Sequence, residues 1–284
     1  MKVVYSDKQN ATFERAIGYS SPSAGKPELV IEDWKKNGIP LEITPPNPLT
    51  PDQMAYAHDS EFVQLMLQGK ICNGFGNRSS DVAASIPYTN GAMYDAAKTA
   101  FLTGESVCAP VSGFHHAGWN SAEGFCTFNG LMIAAINLIK MDNVHRVAII
   151  DCDVHYGNGT VDILERVSPE IRSCIHHFTS GQYFGSDPEE AEQFFNKLEI
   201  ELEKSEDCDV LIYQAGADQH IDDPLGGFLT TEQLAKRDWI VFDWSRKTGI
   251  PVAWDLAGGY QESEDGDISP VLEIHRNTAL ACIG

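Results

Sequence analysis

Residues 147–159, VAIIDCDVHYGNG, are the stretch that decides the fold of this chain. Its first four residues are apolar and mostly β-branched, which predicts a buried strand. Asp151, Asp153 and His155 follow at a spacing of two, and alternate side chains of a strand share one face. Three ionisable groups at the end of a buried strand are costly unless a partner such as a divalent metal ion neutralises them. Because open α/β sheets bind ligands at this end of their strands, the stretch predicts a metalloenzyme.

Strands and helices alternate from this stretch to the end of the sequence. Strands are predicted at 146–151, 171–176, 209–215 and 251–256, and helices at 159–167, 188–206, 230–247 and 270–282. Such alternation is typical of a mostly parallel sheet that is covered by helices on both faces. We therefore expect an α/β protein with three layers, α/β/α, and a single catalytic domain over residues 1–284.

The first half of the sequence is less regular. Strands are predicted at 2–5 and 107–111, helices at 27–36, 59–67, 90–102 and 129–140, and loops at 40–51 and 72–80. The loop at 40–51 is rich in proline and is interpreted as a surface crossing rather than a linker between domains. The helix at 129–140 is strongly apolar, so we expect it to be buried.

The composition limits the classes of function. A hydrophobic content of 43% and a charged content of 21% are ordinary for a globular protein. The net charge of −21 disfavours nucleic acid as a partner; it suits cationic substrates or basic peptides, or simply an acidic cytoplasmic protein. The longest apolar stretch, Leu131–Ile139, is too short to span a membrane, and no signal peptide is recognisable. Seven cysteines without a C-x-x-C pair indicate reduced thiols and a cytoplasmic location.

Chemically active residues occur in four groups, three of them at the ends of predicted strands. They are the pair His115-His116, the set Asp151, Asp153 and His155, the carboxylate Asp218, and the turn Gly258-Gly259-Tyr260. Taken alone, Asp218 is more often a helix N-cap, a histidine pair is more often structural, and two glycines indicate only a turn. In a parallel sheet the strand ends converge on one crevice, which favours a single site that all four groups form together.

The joint pattern resembles the histone deacetylase and acetylpolyamine amidohydrolase family, which shares its fold with arginase. The resemblance runs from about residue 58 to residue 260. Its motifs are, in order, Gly113-Phe114-His115-His116-Ala117 with Gly124-Phe125-Cys126 and Asn129, then Asp151 to Gly159, then Gly216-Ala217-Asp218 with Asp223-Pro224-Leu225-Gly226-Gly227, and finally Gly258-Gly259-Tyr260. The resemblance implies an arginase-deacetylase type of fold and a deacetylase-like catalytic domain.

The resemblance also implies the metal site. Asp153, His155 and Asp218 would be the ligands, and three protein ligands leave open positions for water and substrate. Zinc is the metal that the family leads us to expect. Two carboxylates and one histidine are a harder ligand set than the cysteine and histidine sets that favour zinc, so iron(II) or manganese also suits them.

Catalytic roles follow from the same resemblance. His116 would act as general base and then general acid, and His115 would stabilise charge on the other side of the attacking water. Asp151 would orient His115 and Asn158 would orient His116 through hydrogen bonds. Tyr260 would donate its hydroxyl to the developing oxyanion.

An acyl-lysine side chain needs a narrow apolar tunnel that leads to the metal. The resemblance implies that Phe125, next to Gly124, forms one wall and that Tyr183 stands where the family usually has the second phenylalanine. Leu225 matches a position at the rim, and Gly258 lets the backbone approach the substrate closely. The family also implies a site for a monovalent cation, K⁺, and Cys174 stands where a serine is usual near that site.

Several functions remain open at this point. The leading prediction is a deacetylase that acts on an acyl-lysine peptide or on an acylated polyamine. An arginase-type ureohydrolase would need a second Asp-x-Asp on a late strand, whereas position 220 is His220. A non-catalytic module that binds acyl-lysine is the third alternative, and it would be expected to lack a ligand, His116 or Tyr260. The oligomeric state is not indicated.

Overall fold

Seven parallel strands form one sheet in this computed structural model, which describes residues 1–11 and 22–284. The strands are β1 (Lys2–Val4), β2 (Glu42–Thr44), β3 (Val107–Cys108), β4 (Val147–Asp151), β5 (Ile175–Thr179), β6 (Val210–Gly216) and β7 (Val252–Ala257). Their order across the sheet is β2-β1-β3-β7-β6-β4-β5, and each neighbouring pair is parallel. The central strands β7, β6 and β4 therefore end side by side at the same edge.

Helices cover both faces of the sheet, which confirms the predicted three-layer α/β/α class. They are α1 (Lys26–Lys36), α2 (Pro51–Met54), α3 (Ser60–Leu67), α4 (Ser80–Thr103), α5 (Gly130–Ile139), α6 (Asn158–Arg166), α7 (Pro169–Ser173), α8 (Ala191–Glu203), α9 (Thr231–Thr248) and α10 (Ser269–Ile283). None of the helices within the described ranges is long and apolar enough to cross a membrane.

Two hydrophobic cores lie on opposite faces of the sheet. On one face, Trp254 of β7 packs against Trp34 of α1 and Phe242 of α9. On the other face, the alanine-rich helix α4 and the apolar helix α5 pack together against the sheet. Residues 130–138 of α5 are all buried, as the apolar sequence of this helix predicts.

Alternation along β4 explains how one strand serves both cores. Ala148 and Ile150 belong to the first core, while Val147 and Ile149 belong to the second. Successive side chains of a strand point to opposite faces, so Asp151 lies on the face of α4 and α5. Every residue of β4 is buried, which agrees with its position between β5 and β6.

The strand predicted at 171–176 is wrong in its position. Residues Pro169–Ser173 form the short helix α7, and the strand is Ile175–Thr179. The reason is local: the Ser168 side chain accepts a hydrogen bond from the Ile171 amide, and Pro169 stands at the first helical position. A short apolar run does not distinguish a strand from a capped turn of helix.

Three further boundaries differ from the predictions in the first half of the chain. The proline-rich stretch at 40–51 contains β2, an exposed edge strand that pairs with β1. Helix α4 starts at Ser80 rather than at residue 90. Pro87 lies inside the helix and does not end it. The strand predicted at 107–111 ends at Cys108, since Pro110 has no amide to donate to a neighbouring strand.

Candidate active site and metal centre

Asp153, His155 and Asp218 converge at the ends of β4 and β6. The Nδ1 atom of His155 lies 3.0 Å from Oδ1 of Asp153 and 3.1 Å from Oδ2 of Asp218. One potential ligand atom from each residue lies within 4.8 Å of the others. Within residues 1–11 and 22–284, no other group of three histidine, cysteine or acidic side chains meets this spacing.

Two carboxylates in this group are withdrawn from solvent. Asp153 is 3% exposed and Asp218 is 0% exposed. Burial and the neighbouring charge of Asp153 raise the pKa of Asp218 to about 8. Burial opposes ionisation of Asp153 as well, but His115 and a hydrogen bond from His155 hold the pKa of Asp153 below its usual range. Paired buried carboxylates need compensating positive charge, so this donor set suits a divalent cation.

Backbone and side-chain contacts fix the ligands in place. The carbonyl oxygen of Asp153 accepts a hydrogen bond from Ser180 Oγ at 2.7 Å, and Oδ1 of Asp218 accepts one from the Val154 amide at 3.2 Å. Gly258 has φ +52°, and a Cβ atom there would lie 2.2 Å from Cγ of Asp218. Only glycine therefore allows the turn after β7 to pass so close to Asp218.

His115 and Asp151 form a buried pair beside the ligands. The Nδ1–H group of His115 donates to Oδ2 of Asp151 at 2.9 Å, and Nε2 of His115 lies 3.6 Å from Oδ1 of Asp153. Although burial opposes it, the carboxylates of Asp153 and Asp151 raise the pKa of His115 to about 9. The other oxygen of Asp151 accepts hydrogen bonds from the Asp153 amide and from Gln214 Nε2.

His116 has a different partner. Its Nδ1–H group donates to Oδ1 of Asn158 at 2.6 Å, and Nδ2 of Asn158 donates to Oε1 of Glu123 at 2.7 Å. Glu123 thereby fixes which end of the Asn158 amide faces the histidine. Burial and the neighbouring His115 lower the pKa of His116, so this ring is neutral at pH 7 with Nε2 available as an acceptor.

Tyr260 is held at the end of the turn that follows β7. Its amide donates to Oδ2 of Asp223 at 2.8 Å, and its ring lies 5.7 Å from the ring of Phe125. Burial raises the pKa of the Tyr260 phenol well above its ordinary value, so the hydroxyl keeps its proton. The buried ammonium of Lys26 donates to the carbonyl oxygen of Gly258 in the same turn.

Phe125 has an unusual backbone. Its φ is +63°, and no other non-glycine residue described by the structure has a positive φ. This conformation is costly for a bulky side chain and tends to occur at functional sites. The preceding Gly124 packs against His116, because a Cβ at Gly124 would lie 2.5 Å from Cδ2 of that ring. Phe125 thus lies between the ring of Phe75 and the ring of Tyr260.

The remaining residues of the predicted tunnel lie farther out. Tyr183 is 52% exposed and stacks on Phe178, with the ammonium of Lys197 over its ring. Leu225 is 49% exposed, and its amide donates to Oδ1 of Asp223, the carboxylate that also holds Tyr260. Leu225 is therefore connected to the turn of Tyr260, whereas the ring contacts of Tyr183 are with Phe178 and Phe184.

A small cavity lies among these groups. Its lining includes His115, Asp153, Gln214, Gly258 and Tyr260. It brings one candidate ligand together with a candidate charge stabiliser and the phenol, which is the arrangement that a reacting group requires.

Two other sequence predictions concern neighbouring positions. His220, which replaces the second aspartate of an arginase-type motif, bonds Thr231 and Gln261 instead of the ligand group. Cys174 ends α7, where its thiol donates to the carbonyl oxygen of Glu170. The K⁺ site near Cys174 stays a prediction.

Sequence reasoning missed several residues beside the site, which are Lys26, Glu123, Gln214 and Asp255. It quoted Asp223 within a motif but gave this residue no role. Asp255 offered a signal, because it is a lone acid inside the apolar strand β7. Lys26 offered none, since a lysine at the start of a helix is ordinarily exposed.

Comparison with known proteins agrees with this geometry. Residues 23–205 match the family described as "Histone deacetylase domain". Histone deacetylase 2 of Arabidopsis thaliana is 29% identical over 177 residues, which cover 57% of this chain and 46% of the relative. Histone deacetylase 6 of Caenorhabditis elegans is 25% identical over 195 residues, which cover 58% of this chain and 20% of the relative.

Two further similarities complete the comparison. An uncharacterized protein of Picosynechococcus sp. is 30% identical over 169 residues, covering 55% of this chain and 56% of that protein. The matches thus span about half or less of these relatives. The crystal structure of the HDA15 HD domain has a TM-score of 0.74 at 21% identity, covering 99% of this chain and 88% of that chain, and supports the fold alone. Since the family match extends over more than half of its residues, the chain belongs to the histone deacetylase family.

Proposed function

We propose that the chain is a metal-dependent deacylase that hydrolyses the amide of an acetyl-lysine- or acetylpolyamine-like substrate. The observation that carries the proposal is the combination of two histidines, each held by its own partner, with the buried Asp-His-Asp group. Asp153, His155 and Asp218 are the proposed ligands. When bound there, a divalent cation would polarise the acyl oxygen and lower the pKa of a water molecule.

His116 is the proposed general base and acid. Because Asn158 accepts from Nδ1 of His116, the lone pair of this ring is on Nε2. Nε2 accepts a proton from the attacking water as the C–O bond forms. The same proton then passes to the amine nitrogen as the C–N bond breaks, which releases a free amine and a carboxylic acid that ionises in water.

His115 and Tyr260 are the proposed charge stabilisers. The hydrogen bond from Nδ1 of His115 to Asp151 orients this ring, and the negative charge of Asp151 favours its protonated form, so in this proposal His115 supplies positive charge beside the reacting water. The phenol of Tyr260, whose pKa is raised well above the ordinary value by burial, donates a hydrogen bond to the oxygen that becomes negative in the transition state.

The substrate is proposed to enter between aromatic and apolar side chains. Phe125 and Tyr183 form the walls in this proposal, and Leu225 lies at the rim. Gly124 and Gly258 let the backbone pack closely against His116 and Asp218 at the end of the tunnel. The net charge of −21 attracts the cationic backbone of a lysine-rich peptide or of a polyamine. Zinc is the proposed metal, and iron(II) and manganese are the alternatives that the hard oxygen ligands favour.

The proposal is tested by removing metal and restoring Zn²⁺, Fe²⁺ or Mn²⁺ in turn. Amine release from a fluorogenic acetyl-lysine peptide and from an acetylpolyamine is measured for the wild type, Tyr260→Phe and Asp153→Ala. We expect metal-dependent turnover that falls by about 100-fold or more in both variants. Tyr88→Phe, which alters a half-buried tyrosine whose hydroxyl accepts a hydrogen bond from Lys8, is the matched control and should keep full activity. A wild type that is inactive with all three metals on both substrates would contradict the proposal.

A further inference from the structure

A row of polar side chains crosses the buried face of the sheet beneath the histidines. Asp151 of β4 pairs in register with Gln214 of β6, and Gln214 pairs with Asp255 of β7. The neighbours of Asp255, Trp254 and Leu256, belong to the first hydrophobic core. Asp255 therefore points to the opposite face of the sheet, the face on which Gln214 reaches Asp151.

The orientation of Gln214 defines what Asp255 faces. Nε2 of Gln214 donates to Oδ1 of Asp151 at 2.8 Å. An amide carries its nitrogen and its oxygen on opposite sides, so Oε1 of Gln214 points away from β4 and toward β7. Adjacent strands are about 4.8 Å apart, which places the side chain of Asp255 beside this oxygen.

The oxygen atoms of this pair lack donors. Oε1 of Gln214 and both carboxyl oxygens of Asp255 have no hydrogen-bond partner among the residues that the structure describes. Gln214 is 1% exposed and Asp255 is 0% exposed. Buried acceptors without a donor are strongly unfavourable, and a single proton on Asp255 would satisfy Oε1 of Gln214 and remove the buried charge of Asp255.

The surrounding charges are consistent with that proton. Burial and the negative charge of Asp151 raise the pKa of Asp255 well above its ordinary value, and Asp153 acts in the same direction. Lys26 and His115 act in the opposite direction. The ammonium of Lys26 donates to the carbonyl oxygen of Gly258, and His115 donates to Asp151.

We propose that Asp255 is a neutral carboxylic acid that donates a hydrogen bond to Oε1 of Gln214 and thereby positions Gln214, Asp151 and His115. An ionised Asp255 would instead attract the NH₂ group of Gln214, and the amide would turn and withdraw its donor from Asp151. The hydrogen bond stands independently of the reaction, whereas its effect on turnover rests on the proposed deacylase function.

Two substitutions of similar size separate a donor role from simple packing. In Asp255→Asn, the amide can donate to Gln214 as the neutral acid does, so we expect kcat within about threefold of the wild type. Asp255→Leu fills the space without a donor, and we expect kcat to fall by about 10–100-fold at an unchanged KM, as is usual when the partner that orients an active-site group is lost. Unfolding midpoints of both variants verify that they fold.

Infrared difference spectroscopy of the metal-loaded protein gives a readout that needs no activity. The wild type minus Asp255→Asn should show the carbonyl stretch of a protonated carboxylic acid at pH 7. Asp243→Asn, which removes a carboxylate paired with Lys247, is the matched control and should show no such band. Absence of the band, equal loss of kcat in Asn and Leu variants, or full activity of Asp255→Leu would overturn the proposal. If the wild type is inactive on every substrate, the band still decides the state of Asp255.

Discussion

At the scale of single residues, the site depends on partners that hold each reactive group in one orientation. His115 is held by a carboxylate and His116 by a neutral amide, which Glu123 holds in turn. The pKa values of the two adjacent rings, which lie 4.1 Å apart between centroids, are therefore shifted in opposite directions by their surroundings. The resemblance to the family predicted the pairing of Asp151 with His115 and of Asn158 with His116, but Glu123 acts across a loop and has no local sequence pattern.

Asn158→Ala should lower kcat by about 10–100-fold, because Nδ1 of His116 would lose its acceptor and the ring its fixed orientation. Glu123→Gln should have an effect of threefold or less, since the Gln oxygen still accepts from Nδ2 of Asn158. Steady-state turnover of both variants, loaded with the same metal, measures the difference. Equal losses in the two variants would show that the orientation of His116 does not depend on Asn158.

Gly258→Ala should weaken metal binding by at least about tenfold, because the added Cβ would collide with the carboxylate of Asp218. Gly249→Ala is the matched control: its φ of +76° is also positive, but nothing lies within 4 Å of the added atom. The control should cost only about 1–2 kcal/mol of stability from backbone strain. Metal titration and urea unfolding of both proteins separate the two effects, and equal metal affinities would contradict the assignment of Asp218.

At the scale of elements, periodic patterns predicted most helices and strands, and their failures have local causes. Strand β5 was predicted too early and helix α7 was not predicted, because a capped turn at Ser168 competes with a short apolar run. Residues that contact the site from distant segments, such as Lys26 and Glu123, were not predicted, because no local pattern marks them. The candidate metal ligands were predicted through the resemblance to the family, and their grouping agrees with the rule that a parallel sheet brings strand ends together.

Helix α5 should depend strongly on its N-cap. The Asn129 side chain accepts from the Met132 amide and donates to Ala117 and Thr160, all in a fully buried position. We expect Asn129→Ala to lower the free energy of unfolding by about 3 kcal/mol, since a cap and two buried hydrogen bonds are lost.

The exposed N-cap of α9 gives a control for that change. Thr230→Ala removes the hydrogen bond that the hydroxyl accepts from the Gln233 amide and the one that it donates to Glu232, both at an exposed position, and should cost about 1 kcal/mol. Urea unfolding of both variants measures the two costs. If Asn129→Ala lowers the free energy of unfolding no more than Thr230→Ala does, burial does not increase the contribution of the N-cap to stability.

At the scale of the whole molecule, acid should destabilise the fold through buried neutral histidines. His58 donates from Nδ1 to Gly118 and accepts at Nε2 from the Asn129 amide, an arrangement that needs a neutral ring. Burial lowers the pKa of His58 to about 4, and burial has the same effect on the pKa of His177. The segments that these residues join lie far apart in the chain, so the acid response belongs to the molecule as a whole.

The sign of this effect follows from linkage. The unfolded chain takes up the proton near pH 6.5, whereas folded His58 does so near pH 4. Stability is therefore lost as the pH falls from 6.5 to 4, by about 3 kcal/mol from His58. His58→Gln should have a lower free energy of unfolding at pH 7 but should lose less of it in acid. The matched control, His145→Gln at an exposed position, should leave the pH dependence of stability unchanged. Urea midpoints are measured from about pH 7.5 to about pH 4.5. The prediction is contradicted if the midpoint of His58→Gln falls with pH as steeply as that of the wild type.

The left-handed backbone of Phe125 has a consequence for how this protein can change under selection. Glycine at that position would relieve the strain, but it would remove the ring that lies beside Tyr260. A library of variants screened only for resistance to heat should therefore accumulate glycine at position 125, whereas a library screened for turnover should retain the aromatic ring. Selection for stability would favour glycine at position 125, whereas selection for activity would favour phenylalanine.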